Sequence, residues 1–487
     1  MNDTLGQSAY TRTIKSLVSR ISDTTSGQQS FYEQAANWFF GHKARIQQDI
    51  EYQQQLFLLE RRKEQCAQRD LGLVERQLAQ EQQHYADWQH TQQQMGIKHY
   101  LKLQQLCYDI LAVCQGERPE DTLQLSAKLL GTIQLMSPTQ GKNIAVNNQK
   151  VKHLYKAVLC LRLLDKLIED ENLQHSYIRQ RWQQSQTADR QAGYDAFRDD
   201  VQVPLLMAAL LQDIGSLAPE AQRILKGADG TADEFRVLEQ DERVELLQIS
   251  FAQSVEFLQK ALAIAPYPGR DLLEQQRHMQ REREKLNLAL FLLKNAVKPE
   301  HGIGNVLKIP QIYTSVVLST KANYQYEDLP KAALVLEKGA EKGLYSPVAV
   351  RALLTITGTF PQGFGIVYIP KDAEQRDLDR YEYAIVSGLY PPDTKVALCR
   401  MVTRNLTFNI SSQACTISVD NNMFFPSARK KLSVISEQRL SEILSKLVSN
   451  FEERKSMSLL PKYWHPDDYF QYVKNQNLWI KVVMLEN

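Results

Sequence analysis

Several of the usual pointers to chemistry are missing from this 487-residue chain. No two of its six cysteines (Cys66, Cys107, Cys114, Cys160, Cys399 and Cys415) are spaced as CxxC. That excludes zinc ribbons and dithiol redox motifs, and scattered free thiols fit a reducing compartment. The first twenty residues, MNDTLGQSAYTRTIKSLVSR, hold no apolar core of the kind a secretory signal needs. The best candidate for a membrane span, LNLALFLLKNAV at 286–297, is too short and contains Asn and Lys. A soluble cytoplasmic protein without membrane insertion is therefore expected. Lys and Arg (58) nearly balance Asp and Glu (56), so the net charge of +2 gives no bulk attraction to nucleic acid. Walker, Rossmann and Gly-x-Ser-x-Gly motifs are absent, and no stretch interleaves basic with aromatic residues in the manner of a nucleic-acid reader. No internal repeat is apparent.

What is present is mostly helical patterning. Residues 1–30 are rich in Ser, Thr and Gln and read as a loosely ordered N-terminus. Residues 31–140 read as a long helical hairpin or coiled-coil-like region, almost free of Gly and Pro through residue 115. A partial heptad seam runs through Ile50, Phe57, Leu71, Leu78 and Tyr85, with Val74 and Trp88 in the second register and breaks at Glu64 and Glu81. It fits either a hairpin within one chain or a dimerising coiled coil. Residues 141–358 read as a helical domain. A loop at 135–150 leads into it, followed by a helix at about 150–170 and a polar stretch at 169–195 that suggests an exposed insertion or a solvated helix. Further helices follow within 201–265, 280–297, 310–320 and 329–357, the last closed by Gly358 as C-cap. β-branched and aromatic runs punctuated by Pro, Gly, Asn and Asp then predict a small antiparallel β domain at 359–425. Residues 426–487 read as a C-terminal helical tail. Its helix at 434–455 carries Ile435, Leu440, Ile443, Leu444 and Leu447 on one face, and an aromatic end packs back on the body. The fold class expected is mainly α, with the small β extension near the C-terminus.

The stretch LLMAALLQDIGSLAPEAQRIL (205–225) carries the sharpest functional signal. An apolar helix runs into Gln212-Asp213-Ile214-Gly215. A histidine followed directly by aspartate at such a helix end lets two adjacent side chains share a divalent-metal site, and the metal activates water for attack on phosphorus. This sequence resembles the HD-GYP phosphodiesterases of bacterial cyclic di-GMP signalling, in which the corresponding stretch reads AALLHDIGK. The likeness continues through IPQIYTSVVLSTKANYQYEDLPKAALVLEKGAEKGLYSPVAVRALLTITGTFPQGFGIVYI (309–369), and YEYAIVSGLYPPDTKVALCRMVTR (381–404) resembles the β extension often attached to that domain. The match covers roughly residues 150–425 and implies an HD-like helical bundle.

Carried over position by position, the resemblance places Gln212 where the ligand histidine belongs, retains Asp213, and puts Ser216 in the place of a lysine. Gln311 takes the place of the aspartate two residues before Tyr313. A glutamine amide is a weak neutral donor and does not replace imidazole. His153 is the one match for the first ligand histidine, while His278 and His301 stand isolated. The expectation is a catalytically inactive HD-GYP-like signalling protein that acts by binding, with no metal and no cofactor. Its partners would be a protein engaged through the N-terminal helices, cyclic di-GMP as a possible ligand, or a second copy in a homodimer. Two alternatives stay open: a divergent metal-dependent phosphodiesterase in which His153, His278, His301 and Asp213 converge, and a coiled-coil scaffold with no ligand.

Two further motifs bear on binding. RMVTR (Arg400, Arg404) followed by NISSQA (Asn409, Ser411) resembles the two halves of a PilZ-type cyclic di-GMP motif. Here, however, the arginines fall within a predicted strand and the last glycine is Ala414. HPDD (His465, Asp467, Asp468) is read as a helix start with an acidic first turn, against a metal-binding alternative.

Overall fold

The computed structural model describes residues 5–23, 28–139, 141, 143–187, 193–299, 302–409, 414–433, 438, 441–442, 445 and 459–479. The chain divides into two compact units. One comprises Met1–Ser19, Tyr108–Ala188 and Lys294–Asn487, and the other comprises Arg20–Cys107 and Asp189–Leu293. The expected helix at 434–455 lies almost wholly outside the described residues.

The second unit is built on a hairpin of two long helices, α2 (Phe31–Gln65) and α3 (Gln68–Cys114). α2 starts on a reciprocal cap: Ser30 Oγ accepts from the Glu33 N–H at 3.2 Å, and the Glu33 carboxylate accepts from the Ser30 N–H at 2.8 Å. The hairpin closes within the chain. Tyr85 donates its hydroxyl to Asp49 at 2.7 Å, the Trp88 indole N–H donates to Gln48 at 3.1 Å, and the Tyr52 and Tyr85 rings lie 5.4 Å apart. The seam differs from the one the heptad pattern suggests. Val74 and Leu78 are buried, but on α2 the packed face carries Tyr52, Leu56 and Leu59, while Ile50 and Phe57 are exposed. Ring contacts and the hydrogen bonds that Tyr85 and Trp88 donate to Asp49 and Gln48 set the register here, and apolar periodicity is blind to both.

Phe257 of α9 (Gln240–Lys260) centres the aromatic core of this unit, with Trp38, Phe39 and Phe31 at 5.3, 5.5 and 6.1 Å between ring centroids. A buried ionic network joins α3 to α10 (Leu272–Asn295). Lys285 donates to Glu282 at 2.7 Å, and Glu282 also accepts from the Tyr100 hydroxyl and, at 3.4 Å, from Gln104.

The other unit contains α4 (Pro119–Met136), α5 (Ile144–Glu169), α6 (Ser176–Thr187), α11 (Asn305–Val317), α12 (Lys331–Glu341) and α13 (Pro347–Thr357), followed by the sheet. α5 starts inside the stretch read as loop. It packs against α4, α11 and α13 and buries residues around its whole circumference, including His153, Lys156 and Arg162. The segment 329–357, read as one helix, is two. Lys342 ends α12, and Gly343 takes φ +71°, a left-handed backbone that glycine adopts without a Cβ penalty. Gly358 closes α13 as expected.

Strands β1 (Gly365–Tyr368), β2 (Glu382–Val386), β3 (Ala397–Met401) and β6 (Ala414–Ile417) form an antiparallel sheet in the order β1-β2-β3-β6. β4 (Thr403–Arg404) and β5 (Thr407–Phe408) form a separate hairpin. Asn405 and Leu406 turn that hairpin at φ +52° and +56°, and the buried Glu382 carboxylate accepts both of their N–H groups, at 2.7 and 3.0 Å. The aromatic tail packs on the sheet as expected: Trp464 Nε1 donates to Ala384 O at 2.9 Å and Trp479 Nε1 to Ser387 O at 2.8 Å.

The N-terminus departs from expectation. Ala9–Ser22 forms a helix, α1, with Ile14, Leu17 and Ile21 buried, so much of residues 1–30 is folded. Its apolar residues are few but correctly spaced, and low overall hydrophobicity hid them.

Candidate functional site

The Gln212-Asp213 turn is built by a change of helix type. α7 (Val203–Leu211) is buried along its whole length and ends at Gln212. Asp213 opens a 3₁₀ turn, Ile214–Leu217, before Pro219 starts α8 (Pro219–Lys226). The turn is fixed to α9 by hydrogen bonds. The Gly215 N–H donates to Ser254 Oγ at 2.9 Å, and Ser254 Oγ donates to Gln212 O at 3.3 Å. A Cβ at position 215 would run into the Ser250 carbonyl oxygen, so the close approach of α9 requires glycine. Asp213 makes no side-chain capping hydrogen bond to this turn. Its backbone carbonyl accepts from Ser216 instead, from the N–H at 3.2 Å and from Oγ at 2.7 Å. Ser216 is thus engaged in closing its own turn.

Sequence reasoning missed Tyr32. Its hydroxyl donates to Leu210 O at 2.6 Å, which satisfies one of the free carbonyls at the end of α7. Burial pushes this phenol well above its ordinary pKa, and the Asp213 charge adds to the effect. The Gln212 amide oxygen is buried and has no hydrogen-bond partner among the described residues. The Gln212 side chain thus presents a neutral acceptor at this turn, and the Tyr32 phenol, bound two residues earlier in the chain, is kept in its protonated form.

The other residues singled out by the resemblance are distributed as follows. Asp213, Gln212, Ser216 and His278 belong to the second unit, and His153, Gln311 and Tyr313 to the first. His153 is buried within α5. His278 is engaged by the Ala265 carbonyl at 3.0 Å and packs against Tyr267. Lys308 donates to Gln311 at 3.2 Å, and Tyr313 is fully buried. His301 lies outside the described residues. Among the described residues, no group of three or more His, Cys, Asp or Glu side chains could hold a metal ion.

Arg400 and Arg404 do not share one strand. β3 ends at Met401 and β4 begins at Thr403, so Arg400 belongs to the four-stranded sheet and is buried, while Arg404 is exposed on the hairpin. Ser411 lies outside the described residues, and Asn409 is exposed. The HPDD segment does start a short helix, Asp467–Phe470, with both aspartates in its first turn. Asp467 also accepts from the Thr139 N–H at 3.3 Å and from its hydroxyl, which anchors the tail to the end of α4. His465 packs between Tyr326 and Tyr463, with centroid distances of 5.1 and 5.3 Å.

A second polar constellation lies in the stretch read as insertion and just beyond it. A π-helical turn, Arg198–Gln202, leads into α7 and buries Asp199, Asp200 and Gln202. Tyr194 donates to Asp200 at 2.6 Å, and Arg198 forks onto Asp199 at 2.8 and 3.1 Å. π-turns of this kind are frequent at functional sites. Here the acids are held by Arg198, by Tyr194 and by the Asp195 N–H at 2.8 Å.

No family model matches the chain, and neither a curated protein nor a solved structure matches it.

Proposed function

We propose that this chain is an HD-like helical protein that has lost hydrolytic chemistry and acts by binding a protein partner through the α2–α3 hairpin. The observation that carries the reading is the outer face of α2. Ile46, Ile50 and Phe57 recur at i, i+4 and i+11 and are all exposed, with Phe57 at 62%; Leu58 (63%) and Phe40 (84%) flank them. Exposed large apolar side chains aligned on one helix are what an amphipathic partner helix covers. Each side chain buried would contribute about 1.5–3 kcal/mol.

The polar turn at Gln212 supports the non-hydrolytic half of the reading. Gln212 presents a neutral amide there and the Ser254 hydroxyl is bound to backbone groups, whereas a hydrolytic site would need several imidazoles and carboxylates. By its resemblance, the chain's setting is bacterial cyclic di-GMP signalling, with the nucleotide as a candidate ligand.

The test compares the full-length protein with its Phe57→Glu and Leu58→Glu variants in quantitative pull-downs and in sedimentation velocity. Loss of a partner or of self-association in both variants, with helical content unchanged, is the expected result. An identical bound set and identical oligomeric state would remove the hairpin from the proposal. In parallel, cyclic di-GMP incubated with the protein and manganese or ferrous iron should remain intact; turnover would restore the enzyme reading.

A further inference from the structure

The register of the sheet places two of the six cysteines directly across from each other. Cys399 in β3 pairs with Cys415 in β6, flanked by the pairs Leu398–Thr416 and Arg400–Ala414. The Ser387 N–H donates to Leu398 O at 2.9 Å, so even-numbered residues of β3 direct their backbone groups to β2. Alternation then directs those of Cys399 to β6. The two cysteines thus form a hydrogen-bonded pair with side chains on the same face, for which Cα atoms stand about 5.5 Å apart. That lies inside the range a disulfide spans. Directly opposed Cβ atoms stand about 4.5–5.5 Å apart, somewhat wider than the roughly 3.5–4.5 Å of a relaxed disulfide. A bond here would draw the strands together, and strained disulfides are the readily reduced ones.

We propose that Cys399 and Cys415 form a reversible redox-modification site, closing to a disulfide with a hydroperoxide and reopening with a dithiol. β6 is an edge strand and Cys415 is half-buried, so it is the sulfur an oxidant reaches; Cys399 is enclosed and acts as the resolving partner. With hydrogen peroxide, the Cys415 thiolate attacks one oxygen, the O–O bond breaks, and the other oxygen leaves as water after protonation. Cys399 sulfur then attacks the resulting sulfenic acid, forming the S–S bond and releasing the second oxygen as water. Two thiols and one peroxide give one disulfide and two waters, and the two electrons pass from sulfur to oxygen.

Burial pushes both thiols up, Cys415 to about 12, while the Arg400 charge pulls Cys415 back toward thiolate. The first step is therefore slow, on the scale of minutes to hours. The bond would close a loop around the β4–β5 hairpin that carries exposed Arg404. The remaining thiols are placed differently: Cys107, Cys114 and Cys160 are buried in helices, and Cys66 ends α2.

The experiment exposes reduced full-length protein to hydrogen peroxide, blocks residual thiols by alkylation and maps the peptides by mass spectrometry. The expected product is a Cys399–Cys415 cross-linked peptide, lighter by two hydrogens, that disappears after dithiothreitol and is absent from Cys415→Ala. Conversion of Cys415 to sulfinic acid without cross-link, a link to any other cysteine, or oxidation of Cys66 while both sheet thiols stay reduced would each overturn the proposal. Mapping the unsubstituted protein keeps the test valid even if a variant folds poorly.

Discussion

Gly215 occupies a place where even a methyl group has no room, because the Ser250 carbonyl of α9 fills it. Gly215→Ala should therefore destabilise the protein by about 1–3 kcal/mol through overpacking. Ser254→Ala, which removes the hydroxyl shared by Gly215 and Gln212, should cost about 1 kcal/mol. Urea denaturation measures both, and an alanine at 215 without effect would mean that α9 does not press on the turn. His99 gives a pH prediction of defined sign. Burial lowers its pKa, the hydrogen bond to Ala261 O at 3.1 Å opposes that, and the Arg45 and Lys102 charges lower it further. The unfolded chain then takes up a proton at a higher pH than the folded one. Stability should be flat above about pH 7 and fall as pH drops through about 6.5, the ordinary histidine value. His175 and His465, lowered by burial, add the same slope. The urea midpoint at pH 7.5 should exceed that at pH 5.5, by less in His99→Gln, and equal slopes for the two proteins would exclude His99 as a contributor.

At the scale of elements, helix against strand was legible in the sequence because it depends on period alone, and the change of character near residue 360 marks the sheet that begins at Gly365. Partners were not legible. The hairpin is present, yet its packed seam on α2 is Tyr52, Leu56 and Leu59, because Tyr85 and Trp88 bind Asp49 and Gln48 across the turn. The site behaved likewise. The end of the apolar helix at Gln212-Asp213 was readable, whereas Tyr32, from another helix, and the buried Asp199 and Asp200 of the π-turn carry no local pattern that distinguishes them from solvated polar residues. The seam itself can be tested by contrast. Leu78→Ala should cost about 2–4 kcal/mol, as for a buried leucine, while Phe57→Ala should stay within about 0.5 kcal/mol. If chemical denaturation ranks them in the opposite order, Phe57 belongs to the packed interface and the exposed stripe on α2 does not exist.

Across the whole molecule, the first unit is assembled from distant segments, and the two ends of its described chain are joined to each other. Gln476 accepts from the Ser8 N–H at 2.7 Å and the Thr11 hydroxyl at 2.9 Å, and it donates to Gly6 O at 2.8 Å. The Gly6 N–H donates to Gln471 O at 3.2 Å. One buried amide thus satisfies three groups at the start of the chain, and its removal leaves backbone and hydroxyl partners unpaired at about 1–3 kcal/mol for each buried group. Gln476→Leu is close in size and keeps the apolar contacts, so its effect isolates these hydrogen bonds. It should lower stability by about 2–6 kcal/mol on that reckoning, for the two buried partners Ser8 and Thr11. It should also raise hydrogen exchange in α1 and in residues 469–476 together, because each segment holds the other in place. Deleting residues 1–8 should reproduce the same exchange pattern in the C-terminal segment although no residue there is altered. If the deletion leaves exchange at 469–476 unchanged, the two ends fold independently, and the coupling built on Gln476 fails.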